Sequence, residues 1–315
     1  MPLRIVFMGT AELACASLKA LLKSPDFEIP GVVTQPDRPG GRGLKLQPSP
    51  VKTIAAGAGL PVWQPGRASH PDFLAQLAAV RPDVLVVAAY GQILPQSMLD
   101  LPRFGGVNVH ASLLPKYRGA APIQWAILNG EAETGVTIMK MAAGLDTGDI
   151  LSRQSVPIFP EDNSATLRER LAVLGAELLV PTILGYTSGG ITPQPQDESA
   201  ASYAPKITRE DGRLDWTRPA RTLWNQVRAF TPWPGAFTSL PENSARRRLK
   251  ICRAAVEEHR SGPPGEILQA DKTGLVVACG QGALRIHELQ LEGGRKMTVA
   301  ELLAGHSLQP GTKIG

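Results

Sequence analysis

Asp83-Val-Leu-Val-Val-Ala-Ala-Tyr90 is an unbroken apolar run, short enough for a strand and lacking the polar alternation of a half-exposed one. Such a run reads as a central strand covered on both faces. Toward the amino terminus, Leu3–Met8 reads as a second short buried strand. Gly9-Thr10 turns it into Glu12–Leu22, with helical spacing at Leu18, Leu21 and Leu22. Ile29–Thr34 is a further strand, and Val51–Ala58 and Pro71–Val80 are helices. Toward the carboxyl terminus come the strands Val107–His110 and Gly135–Met141. A long helix then runs from Asn163-Ser-Ala-Thr to Gly185. Strands alternating with helices over about 185 residues predict a Rossmann-like α/β fold: an open, mostly parallel sheet with helices on both faces.

The chain of 315 residues, 43% hydrophobic and 19% charged, is too long for one average domain and too apolar for disorder. Residues 1–189 are expected to form one domain and 190–208, with Thr192-Pro-Gln-Pro-Gln-Asp197, a linker. Residues 209–315 then form a second domain. There, Trp224–Phe230 is a candidate helix. Leu249–Ala254, Gly265–Gln269, Gly274–Cys279 and Ala283–Gln290 are short runs separated by Gly, Pro and Asp, the rhythm of a small β-barrel of the oligonucleotide-binding type. Residues 1–208 hold 17 basic and 17 acidic side chains, whereas 209–315 hold 16 and 11, so the net +5 sits in the last third. That distribution fits a basic module facing nucleic acid, and equally a solubilising surface.

Only three apolar residues separate Arg4 from Met8, too few for a secretory core, and no 18-residue apolar stretch long enough to cross a membrane is expected anywhere in the chain. Cys15, Cys252 and Cys279 are odd in number and lack Cys-x-x-Cys spacing, so neither a disulfide framework nor a zinc site is expected. A reducing cytoplasm is the expected compartment.

In an open α/β sheet, ligands bind beyond the carboxyl ends of the strands. Asn108 and His110, two residues apart at such an end, project to one face. Gly144-Leu-Asp146-Thr-Gly148 sets a carboxylate between glycines after another strand. An amide, an imidazole and a carboxylate converging on one point suit acyl transfer. Asn108 can donate to an oxyanion, and His110 can carry a proton or stabilise the same charge. Asp146 can fix the tautomer of His110 or accept a proton. Each also has a plainer reading: a turn-forming Asn or Asp, a structural His. Ser112 lies in Ala-Ser-Leu-Leu-Pro rather than in a nucleophile elbow, which favours direct attack by an amine over an acyl-enzyme.

The stretch from Gln35 to Pro50, with four Pro and three Gly, is expected to be an irregular loop. Its Arg38, Arg42 and Lys45 can grip phosphates, or decorate a solvated insertion. Arg246-Arg247-Arg248-Leu-Lys250 is the clearest basic cluster of the last third, and as readily a solvated turn before a strand. Met8-Gly-Thr-Ala-Glu lacks the second and third glycines of a dinucleotide fingerprint.

His110-Ala-Ser-Leu-Leu-Pro-Lys-Tyr-Arg-Gly-Ala-Ala-Pro122, then Glu133-Thr-Gly-Val-Thr-Ile-Met139 and Gly144-Leu-Asp-Thr-Gly-Asp149, resemble the tetrahydrofolate-dependent formyltransferases. Within that superfamily, Gln35-Pro-Asp-Arg-Pro-x-Gly-Arg-Gly43, Pro48-Ser-Pro-Val-Lys52 and Pro232-Trp-Pro-Gly-Ala236 resemble the branch acting on methionyl-tRNA. The resemblance covers essentially the whole chain. It implies that Asn108, His110 and Asp146 are catalytic. It also implies that 10-formyltetrahydrofolate, as formyl-donor co-substrate, lies near Ser112, Leu113, Leu114, Pro115, Tyr90, Gly91, Gly144 and Leu145. Arg38, Arg42 and Lys45, with Arg246, Arg247, Arg248 and Lys250, would hold the acceptor stem of initiator methionyl-tRNA. A bacterial cytoplasmic monomer without metal or protein partner is expected. Ala11 stands where the family usually has Pro, a change confined to the first helical turn. The alternatives are a related formyltransferase taking a small amine, a formyl-folate hydrolase, or a noncatalytic RNA-binding protein.

Overall fold

Val6 and Met8 pack with Leu85 and Val87 against Phe73, Leu77 and Met98. Ile5 and Phe7, on the opposite side of the same strand, are equally buried. A strand buried on both sides requires a covering layer on each, which is the α/β arrangement. The computed structural model describes residues 1–40, 45–242 and 245–315. Arg42 lies outside the described residues, as do the side chains of Lys45 and Arg246.

The chain divides into two units, the first being Met1–Pro122, Glu133–Pro157 and Arg168–Ala204. It opens with β1 (Leu3–Gly9), α1 (Leu13–Lys23) and β2 (Phe27–Val33). A small hairpin of β3 (Arg38–Gly40) and β4 (Lys45–Gln47) follows, then α2 (Pro50–Gly57), β5 (Val62–Trp63), α3 (Pro71–Ala79), β6 (Val84–Ala88), α4 (Gln96–Leu99) and β7 (Gly106–His110). After β8 (Arg118–Gly119) and α5 (Pro122–Leu128) come β9 (Glu133–Lys140), β10 (Ile150–Pro157), α6 (Ser164–Thr187) and β11 (Tyr203–Ala204); most of α5 and the start of α6 fall in the second unit's segments.

Seven strands form one sheet in the order β10-β9-β7-β6-β1-β2-β5. Pairings from β5 to β7 are parallel, whereas β9 is antiparallel to both β7 and β10. The expected Rossmann-like, mostly parallel sheet is therefore present, with an antiparallel margin.

Three local readings differ from expectation. The stretch from Gln35 to Pro50 is not wholly irregular, because Arg38 pairs with Gln47 and Pro39 with Leu46. A two-stranded ladder has only outer edges, where proline's missing N–H is tolerated. The Asp37 carboxylate anchors its base, accepting from Lys52 Nζ at 2.6 Å and from Gln64 Nε2 at 2.8 Å. These hydrogen bonds, led by that from Lys52, hold the Asp37 pKa below its ordinary value. Second, α6 is long and apolar enough, by length and composition, to cross a membrane, contrary to the expectation that no such stretch exists. Its Leu171, Leu179 and Ile183 are buried, and its Gly175 lies against Val109 and Val136 of the sheet, as in a core helix. Third, residues 190–204 are not a free linker. Gln194 exchanges backbone hydrogen bonds with Ile150, and β11 pairs with β8.

The second unit comprises Ile123–Ala132, Ile158–Leu167 and Pro205–Gly315. Trp125 Nε1 donates to the Pro205 carbonyl at 2.9 Å, and the Arg228 guanidinium to the carbonyls of Phe159 and Asp162 at 3.1 Å each. These bonds explain why two short segments from earlier in the chain belong here. After α7 (Ala220–Ala229), six strands follow: β12 (Ala236–Glu242), β13 (Ala245–Glu257), β14 (Ile267–Asp271), β15 (Gly274–Ala278), β16 (Ala283–Leu291) and β17 (Lys296–Thr298). The short α8 (Val299–Leu303) comes next. All strand pairings are antiparallel, in the order β12-β13-β16-β15-β14 with β17 on β16. The last residues bridge the sheet's two ends: Ile267 N–H donates to the Thr312 carbonyl, and Gly315 N–H to that of Ser239. Leu223, Leu249, Ile251, Ile267, Val277, Ile286 and Ile314 fill the interior.

Candidate active site

Val107 and Val109 point into the core, so period-two alternation puts Asn108 and His110 on the other face of β7. Asn108 is half-buried, and its side-chain amide makes no hydrogen bond to protein among the described residues. His110 is 6% exposed. Its Nε2 lies 3.0 Å from the Tyr117 carbonyl, and its Nδ1 lies 3.6 Å from Asp146 Oδ2. A neutral ring can donate to only one of these oxygens, whereas the imidazolium donates toward both. Asp146 was expected to fix the ring's tautomer, but the Tyr117 carbonyl faces the other nitrogen and favours the opposite one.

Asp146 reaches the site by an unforeseen route. Because β9 is antiparallel to β7, the turn after it begins beside Gly106, where Met141 N–H donates to the Gly106 carbonyl at 2.7 Å. The turn must fold back along the sheet to meet His110. Asp146 sits at φ +53, a left-handed conformation that Asp tolerates better than most residues. Its Oδ2 accepts the Gly119 N–H at 2.8 Å.

The Ser112 hydroxyl is fully buried and donates to the Lys116 carbonyl at 2.6 Å, a turn-forming bond that leaves it unsuited as a nucleophile. Leu114 is buried, with its N–H on Thr137 Oγ1 at 3.1 Å. The Tyr90 ring lies in the core, while its carbonyl accepts from Thr10 Oγ1 and Gln35 Nε2 at 3.0 and 2.9 Å. Burial pushes the Tyr90 hydroxyl pKa up to about 12. Of the expected folate contacts, Gly91, Leu113, Pro115, Gly144 and Leu145 retain accessible surface, whereas Tyr90, Ser112 and Leu114 are buried. A hollow of about 640 Å³ along Val62–Arg67 and His70–Gln76 includes none of the trio.

In the second unit, Arg247, Arg248 and Lys250 lie within β13 itself, not in a turn before it. Leu249 and Ile251 fill the core from one face of that strand. On the other face, Arg248 stacks over the Phe237 ring at 4.2 Å, and Lys250 donates to the Pro232 carbonyl at 2.9 Å. With Arg209 and the half-exposed Trp233 these two cations line a pocket of about 260 Å³. Arg247 donates to the Glu292 carbonyl. Arg38, at the hairpin base, is exposed and donates to Gln35 Oε1 at 2.6 Å.

The formyl transferase family model matches residues 3–183, and its C-terminal domain model matches 206–307. The chain belongs to the formyltransferase family. A curated methionyl-tRNA formyltransferase of Geobacter sulfurreducens is 49% identical over 313 residues, covering 99% of this chain and 97% of that protein. Among solved structures, an N-formyltransferase from Helicobacter canadensis, in complex with folinic acid and dTDP-3-aminofucose, is similar at TM-score 0.66 and 19% identity. The match covers 94% of this formyltransferase and all of that chain. HypX from Aquifex aeolicus, in complex with tetrahydrofolic acid, is similar at TM-score 0.64 and 20% identity. There this formyltransferase spans 96% of its own length and 47% of the longer chain. At these identities the two solved structures speak to the fold of this formyltransferase alone.

Proposed function

We propose that the chain transfers the formyl group of 10-formyltetrahydrofolate to the free α-amino group of methionine on initiator methionyl-tRNA. The observation that carries this reading is the uncommitted, half-buried Asn108 amide, on the same strand face as the buried His110–Asp146 pair. An oxyanion donor and a proton carrier are what acyl transfer between nitrogens requires. Likeness to a methionyl-tRNA formyltransferase over nearly the full length of both chains favours this acceptor over a small amine, hydrolysis or a noncatalytic role.

Asn108 donates to the formyl oxygen as the methionine nitrogen bonds to the formyl carbon and charge develops on that oxygen. His110, with Nε2 held by the Tyr117 carbonyl, adds positive charge beside the same centre. The proton leaving the amine passes along the Nδ1–Asp146 edge, whose 3.6 Å separation is of the kind that shortens in a substrate complex. As the formyl carbon separates from N10, that proton is returned to N10. Gly91, Leu113, Pro115, Gly144 and Leu145 are the surfaces offered to the folate.

Arg248, Lys250 and Arg209, gathered beside the indole of Trp233, suit a polyanion with unpaired bases. The same reading places the enzyme in a bacterial cytoplasm, where initiator tRNA is charged. Affinity for charged tRNA should then fall steeply between low and moderate salt. Arg248→Ala and Lys250→Ala should each reduce the slope of log K against log salt by about 1. Equilibrium binding across a salt series checks this, and an unchanged slope in both variants removes these cations from the tRNA contact.

A further inference from the structure

Arg118 is fully buried, yet nothing in the proposed chemistry uses it. Its Nη1 and Nη2 reach the two carboxylate oxygens of Glu198 at 2.8 and 2.7 Å, a bidentate pair. The same pair holds the Arg118 pKa above and the Glu198 pKa below their ordinary values. Its Nε and Nη2 also converge on Gln196 Oε1, at 3.1 and 2.8 Å. A guanidinium only donates, so it fixes which end of the Gln196 amide is oxygen. The amide nitrogen must then face away from Arg118, and it does. Gln196 Nε2 donates to the carbonyls of Asp146 at 2.8 Å and Gly148 at 2.7 Å, using both of its hydrogens on one turn. The neighbour of Arg118, Gly119, holds the Asp146 carboxylate. One relay centred on the buried Arg118 therefore grips the Asp146 turn at both backbone and side chain.

We propose that Gln196, oriented by Arg118 and Glu198, is a positioning residue for formyl transfer. It keeps Asp146 in its left-handed conformation, with the carboxylate directed at His110. This proposal rests on Asp146 serving His110 as described above. Without the two amide donors the turn is free to leave φ +53, and a displacement of about 1 Å at a catalytic group costs roughly a hundredfold in rate.

Gln196→Glu is the discriminating variant, since it keeps the side chain's shape and its acceptor for Arg118 but sets an oxygen where both carbonyls need a donor. Measured with 10-formyltetrahydrofolate and charged initiator tRNA, it should lose about 10- to 100-fold in kcat. Both KM values should stay within about twofold, as for an interaction that matters in the transition state rather than in substrate binding. Glu198→Gln, at a side chain 71% exposed and remote from packing, should show a smaller loss in the same direction, and decides the matter if Gln196→Glu fails to fold. In an Asp146→Asn background both changes should have almost no further effect, because they act through Asp146. Wild-type turnover in both single variants, or full additivity with Asp146→Asn, overturns the positioning role. Near wild-type turnover in Asp146→Asn alone overturns instead the catalytic reading beneath it.

Discussion

Asn108→Ala is expected to lower formyl transfer by about a hundred- to a thousandfold while 10-formyltetrahydrofolate still binds, the cost of removing one oxyanion donor from a preorganised site. The structure sharpens the reason. The side-chain amide of Asn108 makes no hydrogen bond to protein among the described residues, so its truncation removes no side-chain hydrogen bond from the fold. His110→Ala should cost at least as much, because it removes both the positive charge and the proton path to Asp146. Unlike Asn108, His110 is tied to the Tyr117 carbonyl, so a modest fall in melting temperature should accompany the lost turnover. Single-turnover transfer beside equilibrium folate binding separates the two effects. Near wild-type transfer in either variant removes that residue from the mechanism.

Gly119→Ala should both destabilise the first unit and lower turnover. Gly119 has φ +122, a backbone region closed to other residues, and a Cβ there would lie 2.7 Å from the Ala204 carbonyl oxygen. The clash falls on the β8–β11 pairing, so relief requires backbone movement. Strain and overpacking together should destabilise the protein by about 2–4 kcal/mol. The same movement takes the Gly119 N–H away from Asp146, so turnover should fall more than the folded fraction alone explains. Denaturant unfolding read together with kcat checks both parts, and an unchanged midpoint contradicts the close approach.

These residues were not equally visible in the chain. Asn108 and His110 stood out because period-two alternation on a short apolar strand tells which face each side chain takes. The parallel sheet was visible for a similar reason: Val84–Ala88 is buried on both faces and apolar throughout. The strand β10, Ile150–Pro157, was not, because much of this margin strand faces solvent and carries polar side chains. The strand β12 was hidden by Thr238, Ser239 and Pro241, which read as loop residues. Prolines likewise concealed the Arg38–Gln47 hairpin.

At the site, the approach of Asp146 to His110 depends on the antiparallel direction of β9, which no local pattern encodes. Tyr117 contributes a backbone carbonyl, and a carbonyl leaves no mark on residue type. Gln196 lay in a Pro- and Gln-rich stretch that resembles a linker. Only its pairing with the buried Arg118, distant in sequence, shows that it belongs to the site. The signal that could have pointed there is the arginine of Lys116-Tyr-Arg-Gly119, a charge directly beside the buried Tyr117.

The most direct test of the central claim is transfer of a labelled formyl group from 10-formyltetrahydrofolate by the full chain, measured with initiator methionyl-tRNA, elongator methionyl-tRNA, free methionine and an amino sugar nucleotide. Initiator methionyl-tRNA should be formylated fastest, by about a hundredfold or more over free methionine, because contacts remote from the amine are needed to raise the rate. Equal or faster transfer to free methionine or to the amino sugar, or no transfer to any acceptor, would contradict it.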